Sequence, residues 1–461
     1  MSVCNSVKID QQSSELHFLR QAPKQWRESP EKPIVHAPKE ETIFLSGGLT
    51  LLQDSLIEAA LRSLGYHFIA LPEPDFDAFR TGKAYGNKAQ CNPTYFTVGN
   101  LVKYLIDLRD NHGISSEEIV RRYVYITAGG CGPCRFGMYI TEYKKALRDA
   151  GFEGFRITSF DHEKGIFQGD DIETQLIDYT PSFFIRLIKA VVIGDLLNIA
   201  GYRMRPYETT AGATDAALAQ CRALLSDAFL EGKSLPLALL KARKLLNKVP
   251  LDRSIKKPKV MVMGEFWASL TEGDGNYGLY RFLESEGAEC IPQPVLNRLM
   301  LSIWEAKEAN EKRRLLPSDK TIDFSYAKTR FLVTLAKKAI EWHVKLYAML
   351  LGIRYRLPDM DKLAELGKRY YTLECNGGEG HLEVAHLIEA VKEKLAHLVI
   401  SVKPFGCMPS SGVSDGVQSL VTAHFPEANF LAVETSGEGA ANFYSRVQMA
   451  LFKAKEALKE E

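Results

Sequence analysis

The segment Tyr123-Val124-Tyr125-Ile126-Thr127-Ala128-Gly129-Gly130-Cys131-Gly132-Pro133-Cys134-Arg135-Phe136-Gly137-Met138-Tyr139 decides how this chain is read. Tyr123 to Ile126 is a short apolar run, the pattern of a buried strand. Gly129 and Gly130 turn the chain; Met138 to Ala150 then carries helical spacing, and Gly151 closes that helix. Strand, glycine turn and helix are the frame of an α/β unit. Cys131 and Cys134 therefore fall where a strand ends and a helix begins. Free backbone N–H groups and the positive end of a helix dipole collect there, and both are expected to lower a thiol's pKa. The thiolate is the form that binds metal.

The same alternation extends on both sides. Thr42 to Leu45 reads as a strand, Leu51 to Leu64 as an amphipathic helix and His67 to Leu71 as the next strand. A loop holding Gly82, Gly86 and Cys91 follows, Pro93 opens a helix, and Phe155 to Ile157 completes a first lobe. Residues 1–41, polar and carrying Pro30, Pro33 and Pro38, read as an extended arm; 42–170 form the first α/β lobe and 171–255 a helical segment. A second α/β lobe covers 256–461 and opens on Val260-Met261-Val262-Met263, with a helical insertion at about 295–370. The core of that insertion, Ala327 to Leu351, is too apolar for a free-standing surface helix. The expected fold is α/β: two Rossmann-like parallel-sheet lobes with helical insertions and a metal cluster in the cleft between them.

Composition narrows the function. Lys and Arg number 58 against 57 Asp and Glu, so there is no basic footprint for nucleic acid or for a membrane surface. The most apolar run, Val191 to Tyr202, is too short to cross a bilayer and is interrupted by Asp195. Met1-Ser2-Val3-Cys4-Asn5 lacks the charged start and apolar block of a signal peptide, which reads as cytoplasmic.

In a reducing compartment the eight cysteines point to metal or redox chemistry rather than to disulfides. Cys221 sits in an alanine-rich helix and reads as core. In open parallel sheets ligands gather outside the carboxyl ends of the strands. If the two lobes face each other there, Cys91, Cys131, Cys134 and Cys407 can meet. Cys375, in a glycine-rich turn, is a fifth candidate ligand, and Cys290, at a strand end, a sixth. Spacing alone leaves iron–sulfur, zinc and no metal open. A single Cys-x-x-Cys with its other thiols scattered favours iron–sulfur over a structural zinc, which usually takes two close pairs. Glu265, Glu379 and His381 are candidate proton relays beside such a centre; dipole compensation at a helix start is the plainer role for Glu379. Arg135 and Ser410 are candidates for stabilising the cluster, with surface pairing and helix capping as the alternatives.

Cys131-Gly132-Pro133-Cys134-Arg135-Phe136-Gly137-Met138-Tyr139, with Pro404-Phe405-Gly406-Cys407-Met408-Pro409 and Gly264-Glu265, resembles the 2-hydroxyacyl-CoA dehydratase superfamily. Within it the branch of CoA-substrate-specific enzyme activase-related and double-cubane cluster proteins is the most similar. The resemblance implies an anaerobic iron–sulfur enzyme, a reductase or dehydratase-like protein. It would accept low-potential electrons from a separate ATP-dependent actin-like activator with its own [4Fe-4S] cluster, and spend them on a small molecule or an acyl-CoA. A [4Fe-4S] cluster would need Cys91, Cys131, Cys134 and Cys407; a double-cubane [Fe8S9] cluster would add Cys375 and Cys290. A homodimer or an unlike second subunit is also implied. The alternatives are a non-catalytic electron carrier or cluster scaffold, and a structural zinc protein.

Overall fold

The computed structural model describes residues 35–129, 134–160, 176–314, 320–375 and 378–460. Two four-stranded parallel sheets organise them. The first holds β1 (Ile43–Ser46), β2 (His67–Ala70), β3 (Tyr123–Ala128) and β4 (Arg156–Phe160) in the order β2-β1-β3-β4. The second holds β5 (Lys259–Gly264), β6 (Glu289–Ile291), β7 (Leu398–Pro404) and β8 (Phe430–Thr435) in the order β6-β5-β7-β8. Both sheets therefore run in the same sequence, the second strand outermost and the first and third side by side. The expectation of two parallel-sheet α/β lobes is met. β7 is buried at every position and reads in sequence as a continuous apolar run broken only by Ser401 and Lys403, the pattern of a strand covered on both faces.

Helices pack on the sheets and between the lobes. Thr50 and Gln53 form a reciprocal capping box at the start of the helix Leu51–Arg62, so that helix begins where the sequence places it. The segment expected to be a loop around Gly82 is instead the helix Phe76–Tyr85, capped by Asp75, whose side chain accepts from the Ala78 N–H at 2.8 Å. Its Gly82 is a contact point rather than a break. A Cβ there would stand 1.9 Å from the Tyr95 carbonyl oxygen, and one on Gly99 would stand 1.8 Å from that of Ala78. The helices Phe76–Tyr85 and Asn92–Asp110 thus cross backbone to backbone, and this crossing fixes the start of the second helix, where Cys91 sits.

The helical segment resolves into Pro181–Met204, Ala213–Leu230 and Leu235–Leu246. The insertion comprises Val295–Arg314, Lys320–Leu351 and Met360–Gly367. Together with Leu51–Arg62 these helices bury one large apolar cluster around Leu196, Leu197, Cys221 and Leu239. Cys221 is core, as read. A second cluster joins Phe79, Tyr95 and Phe96 of the first lobe to Val262, Ile400 and Val402 of the second sheet, so the lobes share a core. Among the described residues no helix is long and apolar enough to cross a membrane.

Candidate metal centre

Four loops converge: those that follow β5 and β7, and two that join helices and carry Cys91 and Glu379. The Asn92 N–H donates to the Phe405 carbonyl at 3.0 Å, tying the Cys91 loop to the loop after β7. Gly406 takes the left-handed conformation (φ +78°), and a Cβ on it would lie 3.2 Å from the Cys91 Cα. The Glu265 N–H donates to the Val402 carbonyl at 2.9 Å, which brings the end of β5 beside that of β7. A Cβ on Gly378 would stand 2.7 Å from the Cys407 neighbour Pro409, so the Glu379 loop closes the same face.

Within this cleft Cys91 and Cys407 are buried and Cys134 is partly so. The Cys91 sulfur lies 3.1 Å from both the Thr94 Oγ1 and the Tyr139 hydroxyl. The Cys407 thiol donates to the Ser410 Oγ at 3.1 Å. Burial pushes the Cys134 thiol up to about 11; the Phe136 N–H pulls the other way, and Glu265, Glu379 and the Cys91 thiol add to the rise. Burial, and after it Glu265, raise Cys407 well above the usual thiol range against the pull of Ser410, with Cys134 adding to the rise. The expectation that the strand-to-helix turn would lower these pKa values fails for Cys134. One N–H donor does not offset loss of water plus two nearby carboxylates. Cys131 lies outside the described residues. Among the described residues no three His, Cys, Asp or Glu side chains stand together closely enough to hold one metal ion.

The carboxylates are buried too. Glu265 caps the helix Phe266–Leu270 through the Ala268 N–H at 2.8 Å, and burial raises its pKa. Burial pushes Glu379 up to about 8; Arg298 pulls it down, and Glu265 and Glu383 push it further up. A small cavity with about 10 Å³ of enclosed space, room for about one water, lies beside Glu379 and is lined also by Ser269, Gln293 and Arg298. Arg298 donates to the Gly378 carbonyl at 3.2 Å and so braces the Glu379 loop. The Asn297 Oδ1, from the same lining, is buried and has no hydrogen-bond partner among the described residues.

Of the remaining candidates Cys290 and His381 are held in other packing, whereas Ser410 and Arg135 border the cleft. Cys290 is buried on β6 with its sulfur toward the Tyr280 carbonyl at 4.0 Å, among Glu284, Arg205 and Glu289 rather than the cleft thiols. Cys375 is on the glycine turn that carries Glu379, and its thiol engages the Tyr371 hydroxyl. His381 packs its ring on Trp304 at 5.0 Å, and burial, with His386, pushes it down to about 4, which leaves a neutral imidazole at pH 7. Arg135 donates to the Ala89 carbonyl and pins the loop that leads to Cys91. Ser410 meets the Cys407 thiol and makes no helix-capping bond with its side chain. Sequence reasoning missed Tyr139, Thr94 and Arg298. Tyr139 sits five positions after Cys134 at the start of the next helix and was within reach of a closer reading; Arg298, in the insertion, carried no local signal.

No protein-family model matches the chain, and no curated protein matches it.

Proposed function

We propose that the cleft holds an iron–sulfur cluster fed with low-potential electrons by a separate ATP-hydrolysing, actin-like reductase, and that the protein uses them to reduce a small molecule or the acyl end of a thioester. The observation that carries this reading is the convergence of Cys91, Cys134 and Cys407 from three loops of two lobes. The donor set fits the group. It consists of soft thiols from loops, with a hydroxyl 3.1 Å from each of two of them that would donate to sulfur once the thiol is deprotonated. Buried thiols crowded by carboxylates stay protonated unless a cationic centre offsets their charge, which iron would do. Cys91, Cys131, Cys134 and Cys407 would hold it. When bound, the cluster would supply single electrons at low potential.

The chain's own residues set up the rest. Glu379 holds a proton near neutral pH beside the cavity, the poise of a proton donor. Arg298 and Gln293 line the same cavity and would supply polar groups to a small substrate once the cavity opens beyond the space of one water. The test is electron paramagnetic resonance of anaerobically prepared, dithionite-reduced protein, followed by turnover assays with an actin-like ATPase reductase and ATP. A reduced-cluster signal with substrate reduction is expected. A signal without turnover of any small molecule makes the protein an electron carrier, and the absence of any iron signal ends the reading.

A further inference from the structure

The helix Lys320–Leu351 has two apolar faces. One seats it on its own chain: Ile340, Val344, Tyr347, Ala348 and Leu351 are buried in the large helical cluster. The other faces solvent. Leu332 is 51% exposed, Leu335 53%, Trp342 59% and Met349 63%, with Phe331 alongside at 66%. Ala339 is exposed, and Leu346 is half-buried, one edge packed on the large helical cluster and the rest on this face. A helix needs one apolar face to fold onto its own domain, so the second is unexplained by this chain's core.

The order of the second face is specific. Leu332, Leu335, Ala339, Trp342, Leu346 and Met349 follow one another by alternating steps of three and four residues. Apolar residues in that alternation form the seam that a second helix fits knobs-into-holes. The seam spans roughly 26 Å at 1.5 Å per residue. At roughly 200 Å² for a large side chain, the exposed parts of Leu332, Leu335, Trp342, Met349 and the flanking Phe331 come to on the order of 600 Å² per chain. That is at the upper end of what a monomer leaves uncovered. Paired with an equal surface it gives about 1,200 Å², the lower bound of a specific interface.

We propose that this seam packs against the same seam of a second copy, the two helices antiparallel about a two-fold axis midway between Ala339 and Trp342. In that register every seam residue meets a seam residue. Leu332 meets the partner's Met349, and Leu335 meets the partner's Leu346. Ala339, the one small residue, faces the partner's Trp342, the largest. The size match occurs twice across the axis, as a self-complementary contact requires. Phe331 flanks the seam at its end.

Sedimentation velocity on the full chain tests this. The expected result is a dimer of twice 51.6 kDa for the unaltered protein. Leu335→Glu with Trp342→Glu is expected to be monomeric with an unchanged circular dichroism spectrum, because both side chains point to solvent in one copy. Ala339→Trp is expected to weaken association at least tenfold, and adding Trp342→Ala to it is expected to restore the dimer, since the small–large pair is only exchanged. A monomeric unaltered protein, or a dimer that survives the double Glu change, overturns the proposal. So does a chain that dimerises only once residues 1–34 are removed, since that segment would then be what covers the seam.

Discussion

The backbone N–H of Asn92 donates to the carbonyl of Phe405 at 3.0 Å, a bond between residues 313 positions apart that joins the residue after Cys91 to the residue two before Cys407. Cys91 is presented by the start of a helix in the first lobe and Cys407 by the end of β7 in the second, and this bond sets the distance between the two loops. What the lobes build together is therefore sensitive to small changes in backbone at one point.

Gly406 is that point. Its φ of +78° is left-handed, and a side chain would press on the Cys91 backbone. Gly406→Ala is expected to cost about 1–2 kcal/mol in stability and to lower iron uptake with every cysteine still present. Gly412→Ala, with nothing within 4 Å, is expected to leave both unchanged. Urea unfolding and iron analysis of the two variants check this; equal iron in both would show that the loop contact does not matter to metal binding.

The cysteines are predicted to divide by position. Cys134→Ala and Cys407→Ala are expected to lose all cluster absorbance. Cys221→Ala and Cys290→Ala, both in core packing, are expected to keep it and to lose only about 1 kcal/mol of stability. Visible spectra under anaerobic conditions separate the two groups.

Asp195 is predicted to couple stability to pH. Buried in the helix Pro181–Met204, it accepts from the Val295 and Leu296 N–H groups and from Gln53. Burial nevertheless pushes it up to about 7. A carboxyl with a raised folded pKa binds more protons folded than unfolded between its two pKa values, so its contribution to stability falls as pH rises from about 4 to 7. Asp195→Ala removes that slope and strands the N–H groups that open the distant helix Val295–Arg314, at a cost of about 3 kcal/mol. Denaturant midpoints of both proteins across that pH range test it; parallel curves would contradict the assignment.

Gly99→Ala should be among the most damaging single-methyl additions in the chain. Its new carbon would overlap the Ala78 carbonyl oxygen, with backbone rather than a movable side chain on the far side. A loss of about 3 kcal/mol or more is expected, read as a drop in melting temperature. A drop no larger than that of Gly412→Ala would mean that the two helices do not cross so closely.

Much of this fold was legible. Strand, turn and helix around Cys134 are written in local apolar pattern and glycine placement, and so is the second lobe from Val260 onward. Gly82 misled because a glycine that permits close helix crossing has the same local look as one that turns a loop. The thiol pKa direction was misjudged because a helix start is visible in sequence whereas burial and the distant carboxylates Glu265 and Glu379 are not. Cys290 looked available because a strand end is readable but the face on which its side chain packs is not. Arg298 was invisible for the same reason as Asp195: its partners lie far along the chain and become neighbours only when the helical insertion folds back.

The most direct measurement is iron and acid-labile sulfide per chain, in protein expressed with iron and purified without oxygen, for the unaltered chain and for Cys407→Ala. The prediction is about four irons in the first and none in the second. Zinc in place of iron, no metal at all, or full iron in the Cys407→Ala protein would contradict a centre shared between the two lobes.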